Sequence, residues 1–107
     1  MSVPRPRLAL LGLDGLPCSL ARQWAASGLA PNLARLAPAA RPLRAELPEL
    51  SPVNWASLAT AAGPEAHGVF GFTRLDPASL AVSLMDATWI EAPTLFDRLS
   101  ARGLTSK

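Results

Sequence analysis

A helix over residues 52–62 is the element that this sequence specifies most tightly. Pro52 favours the first helical position, where its missing N–H has no intrahelical partner to lose, and Gly63-Pro64 stops the helix. Ser51 is therefore predicted at the N-cap, beside the N–H groups that open the helix. Anions are stabilised at such a place. The sequence thus presents a hydroxyl where a phosphate can be held.

Ser51 has two competing interpretations. Ser-Pro ahead of an apolar run is the ordinary signature of a helix start, so Ser51 taken alone is a simple cap. A catalytic serine becomes the better interpretation because an acidic residue closes an apolar run upstream and Pro64-x-x-His67-Gly68 follows downstream. A serine hydroxyl needs a base or a metal ion to attack at neutral pH. The sequence holds no Gly-x-Ser-x-Gly elbow and no histidine or lysine placed for a triad, which leaves metal activation.

Asp14 follows the unbroken apolar run of residues 8–13. Such a run predicts a strand buried on both faces, as in parallel α/β sheets. Ligands of these sheets collect at the carboxyl ends of the strands, where Asp14 stands. The alternative for Asp14-Gly15 is a simple turn after a strand.

The rest of the sequence alternates between helical and extended patterns. Helices are predicted over residues 19–27, before Gly28, and over residues 31–36, after a starting proline. Strands are predicted over residues 43–47 and 80–85, and an amphipathic helix over residues 94–102.

Motifs spread over residues 8–103 carry a family resemblance. They are Asp14-Gly15 after the apolar run, Pro31-Asn32-Leu33, Ser51 opening a helix, Thr60, Pro64, His67-Gly68-Val69-Phe70, and the later Pro93-Thr94-Leu95-Phe96. Together they resemble the type I phosphodiesterase and nucleotide pyrophosphatase family of the alkaline phosphatase superfamily. The resemblance implies an α/β fold, namely the N-terminal part of an alkaline-phosphatase-like core with a mostly parallel sheet flanked by helices.

The resemblance also implies a site. Ser51 is expected to be the nucleophile, and Asp14 and Ser51 are expected to bind metal. The implied cofactors are two divalent metal ions, zinc with manganese as the alternative. Asn54 is assigned to a phosphate oxygen by its proximity to Ser51 alone.

Two departures from related sequence patterns narrow the range of expected substrates. Members of the family that hydrolyse nucleotides carry an asparagine shortly after His-Gly, and Phe72 stands there, which disfavours a nucleotide. Sulfatases of the superfamily carry proline two places and arginine four places after the nucleophile. Pro52 follows Ser51 directly and Trp55 is in the fourth place, which disfavours a sulfatase. In addition, Ala61 replaces the glycine that follows Thr60 in the family pattern.

His67 is the only histidine of the chain. One imidazole without histidine or cysteine partners is more often a hydrogen-bonded structural residue than a metal ligand. The resemblance agrees, because this histidine of the family is not a metal ligand.

The composition of the chain restricts the classes of partner that it is expected to bind. The formal charge is only +2 and the arginines form no stripe, so a nucleic-acid partner is not expected. The single Cys18 excludes an internal disulfide, and the apolar run at residues 8–13 is too short to span a bilayer. A cytoplasmic protein without membrane partners is expected.

The resemblance therefore implies a phosphodiesterase or phosphatase that acts on a small phosphate ester. Residues 1–107 are expected to form a single partial domain, the nucleophile-bearing portion of a larger catalytic domain. The remaining ligands of the family lie in sequence absent here, so this portion is expected to be inactive alone. The alternative is a non-catalytic α/β module that binds a partner through an unpaired sheet edge.

Overall fold

The computed structural model describes residues 8–106, which divide into two compact units between Pro42 and Leu43. Helices and a sheet are both present, as the α/β prediction requires. Among the described residues, no helix has the length and apolar character needed to cross a bilayer. The prediction of one partial domain over residues 1–107 stays a prediction.

The first unit holds a pair of packed helices. Helix α1 spans Cys18–Ser27 and ends at Gly28, whose φ of 79° suits a residue without a Cβ. Helix α2 spans Pro31–Leu36 and begins with its proline, and a short 3₁₀ turn, Ala37–Ala39, follows. The two helices contact each other. Both predicted helices are confirmed.

The strand predicted over residues 8–13 is absent from the described structure, where these residues form neither helix nor strand. Leu8 is 89% exposed and Leu11 is 83% exposed. A strand buried on both faces needs hydrogen-bonded neighbours, and the described residues supply none beside this segment. Asp14 and Gly15 form the turn of the alternative interpretation, with φ of 67° at Gly15, but without the strand that was expected before it.

The second unit holds three helices and a hairpin. Helix α3 spans Ser51–Thr60, α4 spans Pro64–His67 and α5 spans Leu95–Ala101, and a 3₁₀ turn occupies Ala87–Trp89. Strands β1, Thr73–Leu75, and β2, Val82–Leu84, pair antiparallel, with Thr73 opposite Leu84. The predicted strand near residues 80–85 and the predicted helix near residues 94–102 are confirmed. The described residues show only this antiparallel pair, so the parallel sheet is not seen among them.

The predicted start of α3 is wrong by one residue. Leu50 is the N-cap, with extended backbone angles of −114° and 144°, and Ser51 is the first helical residue. Pro52 tolerates the second helical position, because none of the first four N–H groups of a helix has an intrahelical acceptor. The end is also earlier than predicted, since Ala61 is the C-cap ahead of Gly63.

The strand predicted over residues 43–47 is likewise not formed in the described structure. The backbone N–H of Glu46 donates to the side-chain Oδ1 of Asn54 at 2.9 Å. The backbone N–H of this segment therefore finds its acceptor in a side chain of α3 and not in a neighbouring strand.

The core of the second unit is small. Val53, Ala56, Pro64 and Val69 are its buried apolar residues, and Thr60 and His67 are buried polar ones. They lie where α3 packs against α4 and the segment that follows it. Directional hydrogen bonds consequently carry much of the order in this part of the chain.

Candidate active site

Ser51 stands at the N-terminal end of a ten-residue helix and is half-buried. At this end, the backbone N–H of Asn54 donates a hydrogen bond to the carbonyl of the N-cap residue Leu50 at 3.0 Å. N–H groups earlier in a helix have no intrahelical acceptor and carry the positive end of the helix dipole. The position therefore favours a negatively charged group beside the Ser51 hydroxyl.

Asn54 lies one turn along α3 from Ser51, and its amide is engaged on both sides. Its Oδ1 accepts the Glu46 N–H, and its Nδ2 donates to the Leu50 carbonyl at 3.1 Å. These bonds tie the preceding segment to the first turn of the helix. Since Nδ2 carries two hydrogens, the bond to Leu50 uses one of them.

Asp14 occupies an exposed turn of the first unit, whereas Ser51 and Asn54 share one helical turn of the second. Asp14 and Ser51 each make an interaction within the chain. The structure thus brings two of the three predicted site residues onto one element and assigns the third to the other unit.

The donor chemistry of these residues fits a metal site only in part. A carboxylate and a hydroxyl are oxygen ligands that zinc and manganese accept. Over residues 8–106, however, the structure contains no group of three or more histidine, cysteine, aspartate or glutamate side chains that could hold a metal ion. The described residues alone do not build a metal centre.

His67 is fully buried and makes a contact that the sequence did not reveal. Its Nε2 lies 3.0 Å from the Oγ of Ser57, and its Nδ1 accepts the backbone N–H of Val69 at 3.1 Å. Because Nδ1 accepts, the ring proton is assigned to Nε2, which then donates to Ser57. The prediction of a hydrogen-bonded structural histidine is confirmed.

This tautomer decides the chemistry of the Ser57–His67 pair. A general base must accept the serine proton at the nitrogen that faces the hydroxyl, and here that nitrogen donates. In addition, a backbone N–H rather than a carboxylate meets the other ring nitrogen. The pair joins two helices and does not generate a nucleophile.

The Ser57–His67 contact joins residues ten positions apart on different helices, so no local motif announces it. One signal was available in the sequence. A lone histidine placed in a core needs a partner for each ring nitrogen, and the small-residue helix immediately before it offers serine and threonine hydroxyls.

Three carboxyl groups have shifted acidities, and all three are exposed residues in turns or at helix starts. The pKa of Asp76 is lowered by hydrogen bonds from the Ser79 side chain and the Ala78 backbone. The pKa of Asp86 is lowered by the side chain and backbone of Thr88, and that of Asp97 by those of Thr94. Perturbed acidity in this chain therefore marks turns and a helix start, not a catalytic pair.

Comparison with known proteins gives one match. The family model for type I phosphodiesterase / nucleotide pyrophosphatase matches residues 8–107. No curated protein and no solved structure matches the chain significantly. The match covers nearly the whole chain, including Asp14 and Ser51.

Proposed function

The chain belongs to the type I phosphodiesterase / nucleotide pyrophosphatase family, and from that membership we propose that it forms the nucleophile-bearing part of a metal-dependent phosphoric ester hydrolase. The observation that carries the proposal is Ser51 as the first residue of α3, at the anion-favouring end of a helix. The described elements are proposed to belong to a larger α/β core with a mostly parallel sheet.

Ser51 is proposed as the attacking group. Its oxygen forms a bond to phosphorus, the bond to the ester oxygen breaks, and the alcohol leaves with a proton; water then releases phosphate from the serine. The N–H groups of the first turn of α3 hold phosphate oxygens during both steps. Asn54 is proposed to add a donor from the same turn, through the Nδ2 hydrogen that the bond to Leu50 does not use.

Asp14 and Ser51 are proposed as the contribution of this chain to a site for two divalent ions, zinc or manganese. When bound, such ions lower the pKa of a hydroxyl and neutralise charge on the reacting phosphate. The other ligands would come from residues outside those described, because the described ones hold no group of three ligand side chains.

The proposed substrate is a small phosphate ester other than a nucleotide. Phe72 occupies the place of the phosphate-contacting asparagine of nucleotide-hydrolysing members, and its side chain is 57% exposed. A phenyl ring cannot donate a hydrogen bond to a phosphate oxygen.

Ser51→Ala and Asp14→Asn test the proposal in an active polypeptide that contains this segment. Turnover of bis-p-nitrophenyl phosphate and bound metal are measured in parallel. We expect Ser51→Ala to abolish turnover and keep most of the metal, and Asp14→Asn to lower metal occupancy. Ser27→Ala, at an exposed serine that bonds to the Trp24 carbonyl, is the matched control and should retain full turnover.

Retention of more than about a tenth of the turnover by Ser51→Ala would show that the serine only starts a helix, since removal of a covalent nucleophile costs far more. That result would favour the non-catalytic interaction module.

A further inference from the structure

We propose that His67 is a positioning residue for Ser51, and that it acts through Ser57 on the same helix. The inference rests on the proposed function in taking Ser51 as the reacting group.

His67 connects three segments of the second unit. Its Nε2–H donates to Ser57 in α3, its Nδ1 accepts the Val69 N–H, and its own carbonyl accepts the N–H of Glu91 at 3.1 Å. The residue is 0% exposed and Ser57 is half-buried, so water has limited access to these bonds. The side chain therefore fixes α3 against the segment around Val69, and its backbone fixes that junction to residue 91.

The apolar core beneath α3 specifies its position weakly. Val53, Ala56 and Val69 are small, and burial of small aliphatic groups has little directional preference. The Ser57–His67 bond is directional and joins α3 to a different element. It therefore sets the rotation and the axial position of the helix more sharply than the core does.

Ser57 and Ser51 move together because they belong to one helix. Six residues of α-helix span about 9 Å, so a shift or rotation at Ser57 is passed on to the Ser51 hydroxyl. Displacement of a reacting group by about 1 Å can cost on the order of 100-fold in rate. A hydrogen bond remote from the phosphate can thus control the attack.

Two substitutions at His67 separate its two side-chain bonds. Gln places an amide N–H near the position of Nε2 and keeps the donor to Ser57, whereas Asn places an oxygen near Nδ1 and keeps only the acceptor for Val69. Ser57→Ala removes the hydroxyl from the other side of the same bond. It is also the milder change, so the proposal stays testable if a His67 variant fails to fold.

Thr60→Val is the matched control. Thr60 is buried on α3 like the bond under test, but its hydroxyl donates within the helix to the Ala56 carbonyl at 2.7 Å. Its removal weakens the fold without cutting a link to another element.

The experiment has two readouts, the kinetic constants of an active polypeptide that contains the segment and the amide residual dipolar couplings of residues 51–56 in the folded 107-residue chain. Ser57→Ala and His67→Asn should lower kcat at least tenfold with KM within twofold, and the double variant should be no worse than either single one. The same variants should change the couplings. His67→Gln and Thr60→Val should leave both readouts near those of the original chain.

The proposal would be overturned if His67→Gln changed kcat and the couplings as much as His67→Asn does. It would also be overturned if Thr60→Val changed them as much as Ser57→Ala does. The couplings need no turnover. If Ser51 is not the nucleophile, only the turnover of Ser51→Ala shows it. If His67 is not a positioning residue, the couplings show it.

Discussion

Ala61 closes α3 in a backbone conformation that alanine rarely adopts. Its φ is 54° and its ψ is 36°, and its N–H donates to the Ser57 carbonyl at 2.8 Å. The left-handed region costs a residue with a Cβ about 1–2 kcal/mol. The chain therefore carries at this position a strain that a glycine would avoid.

Ala61→Gly should therefore stabilise the second unit by about 1 kcal/mol, because relief of the left-handed strain exceeds the extra chain entropy of glycine when unfolded. Urea unfolding followed by fluorescence measures the change. Ala62→Gly is the matched control, since the φ of Ala62 is not positive, and it should destabilise slightly. Equal effects of the two substitutions would contradict the argument.

The residues of the candidate site could be predicted from sequence only where local chemistry identifies them. Ser51 follows from the proline after it and the small-residue helix, although the cap lies one residue earlier, at Leu50. Nothing local shows that the Asn54 amide is engaged by Glu46 and Leu50, because those bonds depend on how residues 46–50 fold back onto the helix.

Some element boundaries were predictable from a proline or glycine. Pro31 starts α2 and Gly28 ends α1 as predicted, whereas the ends of α3 differ by one or two residues from those that Pro52 and Gly63 predicted. The strands expected over residues 8–13 and 43–47 depend on neighbouring strands, which an apolar pattern cannot guarantee. Strand β1 was missed because three exposed residues, Thr73–Leu75, show no alternation to detect.

Helix α5 should lose stability in acid. In its capping box, Asp97 accepts bonds from the Thr94 side chain and N–H, which hold the pKa of Asp97 below its ordinary value of 3.8. A lowered folded-state pKa gives stability that is complete above the ordinary value and is lost as the pH falls through the folded value. The α5 amide signals should therefore be constant down to about pH 4 and change below it.

Asp97→Asn should remove most of that acid transition at α5 and weaken the helix at neutral pH, because the charged acceptor at the helix start is lost. The amide signals of Leu95–Ala101, followed by NMR between pH 6 and pH 2, measure both effects. Asp86→Asn is the control, since that carboxylate bonds to Thr88 outside α5. An unchanged acid transition at α5 in Asp97→Asn would refute the prediction.

At the scale of the whole molecule, the 107-residue chain should not hydrolyse bis-p-nitrophenyl phosphate or p-nitrophenyl phosphate with zinc or manganese added. A two-metal site needs about four ligands for each ion, and the described residues offer no group of three ligand side chains. The measurement is release of p-nitrophenol against a metal-only blank. Metal-dependent release that disappears in Ser51→Ala would contradict it.

The chain should also unfold gradually and bind hydrophobic dyes. Val53, Ala56, Pro64 and Val69 are the buried apolar residues of the described structure, while Leu8, Leu11, Leu43 and Leu80 are each more than 70% exposed. So little buried area offsets the conformational entropy of folding only narrowly, and the exposed side chains offer sites for dye. Thermal unfolding and binding of anilinonaphthalene sulfonate test this expectation directly.

Two substitutions separate the contribution of exposed apolar side chains to dye binding from the contribution of buried ones to stability. Leu11→Ser should lower dye binding and leave the unfolding midpoint unchanged, because the side chain is 83% exposed. Val53→Ala should lose about 2 kcal/mol, since its side chain is 0% exposed, and should increase dye binding by unfolding the second unit. A sharp cooperative transition without dye binding in the original chain would mean that these leucines are covered. The low stability expected from the small core would then be wrong.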